Sequence, residues 1–62
     1  MDMATVGRLV RYDGRPAIVT AVDDLFNDVA LTVFDVNGIR FYEEVPYADV
    51  PTVGHWNWPP RV

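Results

Sequence analysis

The chain contains two Asx-Gly dipeptides, Asp13-Gly14 and Asn37-Gly38. The segments on either side of each dipeptide are rich in β-branched and aromatic residues. Such a dipeptide tolerates the positive φ angles of a type I′ turn, and between β-rich runs it is the strongest short-range signal of a β-hairpin. No segment shows the sustained 3.6-residue apolar period that an amphipathic helix requires. The sequence therefore predicts a hairpin turn at each dipeptide.

Four strands and a short closing strand follow from these turns. Gly7 permits a bend or bulge in the first predicted strand. Pro16 stands at the start of the second, where its missing N–H breaks no ladder hydrogen bond. This second run is apolar on both faces, as a central strand would be. The predicted strands, in chain order, are residues 6–12, 16–22, 29–36, 39–45 and 53–56.

In the fourth predicted strand, Ile39, Phe41 and Val45 share one parity and form the expected apolar face, with Glu43 as the exception. Prolines then crowd the last third of the chain, so no helix of useful length fits there. For residues 46–50 we predict one turn of 3₁₀ helix.

The 62 residues predict one small domain, with residues 1–5 as an N-terminal tail and residues 46–62 as a Pro/Trp-rich C-terminal segment. We predict an all-β fold, a small SH3-like β-barrel of four to five antiparallel strands. Closure would remove the exposed edges on which small open sheets aggregate. An open antiparallel sheet that dimerises is the alternative. We also expect a homo-oligomer, because association is a usual way for so small a scaffold to gain stability.

The composition argues against several functions. Nine acidic and five basic residues give a net charge of −4, and the scattered Arg do not form the cluster that non-specific nucleic-acid binding requires. The absence of Cys, Ser and Lys removes the commonest covalent nucleophiles. A single His cannot form an ordinary zinc site. We therefore expect no enzymatic activity, no cofactor and no metal site.

No segment predicts export or membrane binding. Asp2 stands where a signal peptide would carry Lys or Arg, and no apolar core follows it. The longest uncharged apolar stretch, residues 16–22, is far shorter than the roughly 20 residues that span a bilayer. We expect no membrane association.

The C-terminal segment carries the best candidate binding residues. In an extended chain Trp56 and Trp58 point to one face, while His55 and Asn57 point to the other. Pro59 stiffens the backbone that holds the second indole. Two indoles held in this way could stack a nucleobase, clamp a proline-rich peptide or anchor a partner subunit. Alternatively, the segment folds back and the rings cap the barrel, with Trp56 the more buried.

The loop between the second and third predicted strands is the other unusual segment. Leu25 and Phe26 are two apolar residues in an acidic turn, where they either tuck under the barrel or meet a partner. We include Phe26 among the candidate partner-binding residues. The spacing and glycine of an EF-hand are absent, so the loop's oxygen-bearing residues predict a solvated turn. These residues are Asp23, Asp24, Asn27 and Asp28.

Several motifs resemble those of a group of small uncharacterised proteins of tailed bacteriophages. The likeness lies in Gly-Arg-x-Val-x-Tyr at 7–12, Arg-Pro-Ala-Ile-Val-Thr at 15–20, Leu-x-Val-Phe at 31–34, Val-Pro-Tyr at 45–47 and Gly-x-Trp-x-Trp-Pro at 54–59. The chain departs from that group's C-terminal signature, with His55 for Thr, Asn57 for His and Pro60 for an acidic residue. The resemblance implies a phage origin and no particular activity.

Two functional classes fit these observations. The first is a non-enzymatic phage binding module whose Trp-rich end contacts a partner protein or sequesters a small planar ligand such as a nucleotide. The second is a virion component, such as a capsid cement or tail accessory protein, in which the same tryptophans dock on a neighbouring subunit. The first class predicts the host cytoplasm as the location and the second predicts the virion.

Overall fold

The computed structural model describes residues 4–60, whose strands form a single sheet. In chain order they are β1 (Leu9–Tyr12), β2 (Arg15–Asp23), β3 (Asp28–Asp35), β4 (Gly38–Pro46) and β5 (Trp56–Asn57). Paired strands are antiparallel, their order is β4-β3-β2-β1-β5, and the sheet curls into a half-barrel. The predicted all-β class is confirmed, as is the central position of β2. Residues 4–60 contain no helix long and apolar enough to cross a membrane.

Both predicted hairpins are present, but only the first has the predicted turn. Asp13 (φ 54°) and Gly14 (φ 77°) join β1 to β2, and positive φ at both central residues is type I′ geometry. In the second hairpin the turn consists of Val36 and Asn37, and Gly38 already belongs to β4. The turn centred on Asn37-Gly38 is therefore wrong by one residue. Gly38 has a φ of 129°, which glycine adopts readily, whereas Asn37 does not take a positive φ.

A turn before β1 sets where the first strand begins. The N–H of Arg8 donates to the carbonyl of Thr5 at 3.1 Å. Hydrogen bonds to β2 also form before the first residue of β1. The N–H of Gly7 donates to the Val19 carbonyl (2.8 Å), and the Val19 N–H donates to the Arg8 carbonyl (3.1 Å). The bend predicted at Gly7 is confirmed, and the regular strand begins at Leu9 rather than at residue 6.

Two β-bulges at the level of Ala30 accompany the curl of the sheet. In β2 the register with β3 shifts at Thr20, which has no paired residue opposite it. In β4 both Glu43 and Glu44 stand opposite Ala30, and Glu44 has a φ of 55°. A bulge bends its strand and increases the local twist. Two bulges at one level therefore account for the bend across β2, β3 and β4.

The bulge in β4 also changes which residues face the core. Tyr42 and Val45 contact the core, although they are three residues apart. Ile39 and Phe41 lie on the outer face, where they are 55% and 73% exposed. The prediction that Ile39 and Phe41 share a buried face with Val45 is therefore wrong, because a strict two-residue alternation does not continue through a bulge.

After β4 the chain crosses to β5 without a helical turn. Tyr47 forms an isolated parallel bridge with Trp56, and the N–H of Ala48 donates to the Trp56 carbonyl at 3.0 Å. The predicted 3₁₀ turn at residues 46–50 is therefore wrong, since Tyr47 and Ala48 are held against the closing strand and a bend follows at Asp49 and Val50. The bridge joins the end of β4 to β5 at one corner of the half-barrel.

The closing strand begins later than predicted because a turn precedes it. The N–H of His55 donates to the Thr52 carbonyl at 3.1 Å, and Gly54 has a φ of 78°. A turn of this kind needs a residue that accepts positive φ at its third position, which Gly54 supplies. β5 consequently begins at Trp56 rather than at residue 53.

The core lies on the concave face of the sheet and is small. Ala4 belongs to it, although residue 4 falls within the predicted N-terminal tail; residues 1–3 lie outside the described residues. All three Phe side chains are exposed and contribute nothing to this core. The buried residues are Ala4, Val10, Ala17, Val19, Val29, Leu31, Val33, Val45 and Trp56, with Tyr12, Val22, Tyr42, Tyr47 and Trp58 packed against them.

Candidate functional site

Trp56 is the buried centre of an aromatic cluster at the C-terminal edge of the sheet. It pairs with Tyr12 across β1 and β5, and its side chain is only 4% exposed. Its ring centroid lies 4.8 Å from that of Tyr47 and 5.1 Å from that of Trp58. Such offset and edge contacts between aromatic rings are stabilising. Trp56 therefore holds its neighbours in place and offers almost no surface to a partner.

Trp58 lies at the accessible margin of the same cluster. Its ring meets that of Trp56 at 85°, an edge-to-face arrangement, and the side chain is partly exposed. The two indoles therefore lie on one side of the chain, as the alternation predicts. Trp56 caps the core, as the alternative in which the segment folds back predicts, whereas Trp58 packs on the core and also reaches solvent.

Arg8 lies over the ring of Trp58. Its guanidinium carbon is 5.4 Å from the ring centroid, within the range of a cation–π interaction. The Arg8 backbone is fixed by the turn from Thr5 and by the hydrogen bond with Val19. The side chain is consequently presented by a defined backbone rather than by a loose terminus. We call Arg8 and Trp58 together the Arg–Trp surface.

Arg8 forms no salt bridge with another residue of the described range 4–60. Among residues 4–60, the salt bridges join Arg15 to Asp13 (3.6 Å) and to Asp35 (3.7 Å), and Arg40 to Asp35 (3.6 Å). Arg8 takes part in none of these pairs. In a chain of net charge −4, a guanidinium that lies over an indole and forms no salt bridge with residues 4–60 can bind an external anion.

His55 and Asn57 make local contacts to the backbone. Nδ1 of His55 lies 3.0 Å from the Val53 carbonyl, and Nδ2 of Asn57 donates to the Trp58 carbonyl at 3.2 Å. These contacts support the turn before β5 and the path of the chain after it. Pro59 is partly exposed beside Trp58. The structure therefore places all three residues next to the Arg–Trp surface but commits the two polar side chains to the backbone.

Phe26 lies outside the aromatic cluster. It is 72% exposed in the loop between β2 and β3, where Leu25 is also exposed. Oδ1 of Asp23 accepts the N–H groups of Leu25 (3.0 Å) and Phe26 (3.3 Å), so the acidic residue shapes the turn. The alternative in which these apolar residues tuck under the sheet is wrong. Exposure leaves contact with a partner as the remaining interpretation for Phe26.

Sequence reasoning missed the contribution of the tyrosines and of Arg8. The rings of Tyr12 and Tyr42 lie 4.7 Å apart on the concave face, and Tyr47 packs on Trp56. Desolvation by burial raises the pKa of the Tyr47 phenol, and the negative charge of the nearby Asp49 raises it further. The position of Tyr47, two residues after the end of the fourth predicted strand, could have indicated this contact. The position of Arg8 depends on a turn that no local motif defines.

One polar group in the cluster lacks a partner. The indole Nε1–H of Trp56 is buried and has no acceptor among residues 4–60. A buried donor without an acceptor costs free energy, so the packing of this ring must offset that loss. The indole of Trp56 therefore stabilises the fold through its packing and not through a hydrogen bond to residues 4–60.

An acidic cleft of about 190 Å³ lies on the surface beside the bulge in β4. Its carboxylates come from Asp23, Asp28, Glu43 and Glu44. Among residues 4–60, no three His, Cys, Asp or Glu side chains are placed to hold a metal ion together. The cleft is therefore a negatively charged part of the surface, and its described carboxylates are not arranged to bind a metal ion.

Comparisons with protein-family models, with curated proteins and with solved structures find no match to this chain. The functional proposal consequently rests on the geometry of the Arg–Trp surface and on the sequence motifs.

Proposed function

We propose that the protein is a non-enzymatic binding module of a tailed bacteriophage that contacts an acidic group of a partner protein through Arg8 and Trp58. The observation that carries this proposal is the Arg8 guanidinium, 5.4 Å from the Trp58 centroid and in no salt bridge among residues 4–60. A guanidinium is planar, so its N–H groups lie in one plane. In that plane they can donate two parallel hydrogen bonds to a carboxylate or phosphate.

A protein partner fits this surface better than a small planar ligand. Small ligands bind in concave pockets that cover most of their area. Arg8 is exposed, and Trp58 lies at an open margin between the core and solvent. A partner that brings its own apolar surface and a carboxylate would cover such a margin and desolvate the pair. A nucleotide, which offers a phosphate and a stacking base, is the alternative that the following experiment separates.

The proposal is tested by tryptophan fluorescence titration with two probes, a blocked hexaglutamate peptide and ADP. We expect the peptide to perturb the emission and Arg8→Gln to weaken its binding at least tenfold. Arg11→Gln is the matched control, because it removes the same charge from a nearby position within β1 and should leave the affinity within twofold. Arg8-dependent binding of ADP alone would identify a nucleotide ligand instead of a protein. No response to either probe would contradict the proposal.

A virion component is the second candidate, and the outer face of the sheet favours it. Large apolar side chains such as Leu9, Phe34, Ile39 and Phe41 are exposed there. Contiguous apolar surface of this kind is typical of protein interfaces. Mass spectrometry of purified particles distinguishes the two candidates. A stoichiometric protein in the virion supports the accessory role, whereas its absence from particles and presence in the host cytoplasm supports the binding module.

The proposal also includes the specific SH3-like form of the barrel. The support is the bridge between Tyr47 and Trp56, which brings the end of β4 to the closing strand. Amide hydrogen exchange tests it at Ala48, whose N–H donates to the Trp56 carbonyl. Protection of this amide as strong as that of the central strands supports a closed barrel. Exchange at the rate of a surface loop indicates an open sheet.

A further inference from the structure

The outer face of the sheet carries an uncharged apolar row that the binding proposal does not use. Cross-strand pairing aligns Leu9 with Ile18, Ile18 with Thr32 and Thr32 with Phe41. Phe34 lies on the same face of β3, two residues from Thr32. Exposed apolar side chains that are contiguous across several strands need a partner more than isolated ones do.

This row ends at β4, which is an edge strand. β4 is nine residues long and pairs only with β3 among the described strands. In an antiparallel pair, every second residue of an edge strand directs its N–H and carbonyl groups away from the sheet. Natural proteins protect such edges with charges, prolines, β-bulges or short strands. In β4 the bulge with its two glutamates and Pro46 protects the second half of the edge. The first half, from Ile39 to Tyr42, has only Arg40 as a charge, and this residue forms a salt bridge with Asp35 at 3.6 Å.

We propose that β4 pairs with β4 of a second copy of the chain, antiparallel and about a two-fold axis at Phe41. The two sheets then form one continuous sheet. Isologous two-fold contacts are the commonest way in which identical chains associate. β5, with the neighbouring Trp58, is at the opposite edge of the sheet and reaches the β4 side only through the bridge at Tyr47, beyond the last residue of β4. The dimer therefore leaves the Arg–Trp surface accessible, and the inference does not depend on the proposed function.

Charge and side-chain direction select the register. Residues that oppose one another across antiparallel strands point to the same face, so the two-fold axis must pass through a residue paired with its own copy. An axis at Arg40 would place two guanidinium groups opposite each other, which is unfavourable. An axis at Phe41 instead pairs two phenyl rings on the outer face. It also places Arg40 opposite the partner's Tyr42, a favourable cation–aromatic pair.

The available area predicts a weak dimer rather than a permanent one. Edge pairing brings only β4 against the partner, so Phe34 on β3 stays uncovered on the outer face. Ile39 and Phe41 are 55% and 73% exposed, which amounts to about 250 Å² at roughly 200 Å² for each complete side chain. A standard interface buries about 800 Å² on each partner. The two side chains supply about a third of that area, and the backbone of β4 contributes more. We therefore expect association in the micromolar to millimolar range.

Sedimentation analysis from ten micromolar to one millimolar tests the proposal. We expect the apparent mass to rise from 7.0 kDa toward twice that value. Phe41→Lys should keep the chain monomeric across this range while its melting temperature at low concentration stays within a few degrees. Phe26→Lys is the matched control, because Phe26 is equally exposed but lies in the β2–β3 loop, and it should dimerise like the parent. A monomer at every concentration, or equal dimerisation of Phe41→Lys, would overturn the proposal.

Cross-linking tests the register separately. The described chain contains no cysteine, so any disulfide formed by a single introduced cysteine joins two copies. We expect Phe41→Cys to form a covalent dimer at least tenfold faster than Ile39→Cys, whose copies are four residues out of register. Equal rates would overturn the axis at Phe41.

Discussion

Replacement of Trp56 by alanine should remove a large share of the free energy of unfolding, because this ring is the largest side chain in the core. Only 4% of Trp56 is exposed. An aromatic side chain of this kind buries roughly 150–250 Å², which at about 25 cal/mol per Å² corresponds to about 4–6 kcal/mol. Measured Trp→Ala changes in cores cost about 3–5 kcal/mol. The whole domain is expected to have only about 3–9 kcal/mol of stability, from its 62 residues.

A series of tryptophan variants shows whether the loss of stability depends on how deeply the ring is buried or on how close the residue lies to the C-terminus. Trp56→Phe keeps a ring against Tyr47 and Trp58 and also removes the indole N–H that lacks an acceptor. We expect it to cost less than half as much as Trp56→Ala. Trp58→Ala should fall between the parent and Trp56→Ala, because Trp58 is only partly buried.

Thermal and urea unfolding, followed by far-ultraviolet circular dichroism, measure these differences. His55→Ala is the neighbouring control and should lower the melting temperature by only a few degrees, since its ring contacts one backbone carbonyl. At about 4–8 °C per kcal/mol for so small a domain, Trp56→Ala should lose at least 12 °C or show no cooperative transition. A Trp56→Ala protein that melts within 4 °C of the parent would refute the assignment of Trp56 to the core.

Two further predictions concern strain and ionisation. Glu44 has a φ of 55°, which costs an L-residue about 1 kcal/mol, so Glu44→Gly should raise the melting temperature by several degrees, and a decrease would show that the side chain outweighs the strain. Because the pKa of Tyr47 is raised in the folded state, its contribution to stability is complete below its ordinary pKa of 10.0 and is lost as the pH rises through the higher folded value. Urea unfolding between pH 9 and pH 12 should therefore show a steeper loss of stability for the parent than for Tyr47→Phe, and parallel curves would contradict this.

Turn chemistry predicted much of this fold from the sequence. Asp13-Gly14 adopts the type I′ turn, and the runs on either side of it pair as predicted. The long strands β2, β3 and β4 match the predicted runs within one residue at either end. These features depend on local backbone preferences, which a short stretch of sequence contains in full.

The two bulges and the bridge between Tyr47 and Trp56 were not predictable from the pattern of apolar residues along the chain. Glu43 marked the place where the apolar alternation of the fourth strand fails, and a bulge there turns Ile39 and Phe41 outward. Nothing in the neighbouring residues distinguishes a bulge from a single polar exception in a regular strand. Its position depends on the pairing of three strands, because the bulge in β2 lies opposite the same residue of β3.

In the candidate site, too, the contacts between neighbours in the chain could be predicted and the contact between distant residues could not. The spacing of Trp56 and Trp58 correctly placed both indoles on one side of the chain. Arg8 joins them from the other end of the sequence, through the pairing of β1 with β2 and β5. Spacing along the chain contains no information about such a contact, so the Arg–Trp surface became visible only in the folded molecule.

The measurement that tests the Arg–Trp surface most directly is a ¹H–¹⁵N NMR titration with the blocked hexaglutamate peptide. The chain has two indole N–H groups, and replacement of each tryptophan by phenylalanine assigns their signals. We predict that the Trp58 indole signal and the amides near Arg8 shift together and saturate, while the buried Trp56 indole moves much less. Shifts confined to the loop around Phe26, or a Trp58 signal that stays unchanged as the peptide binds, would contradict the account.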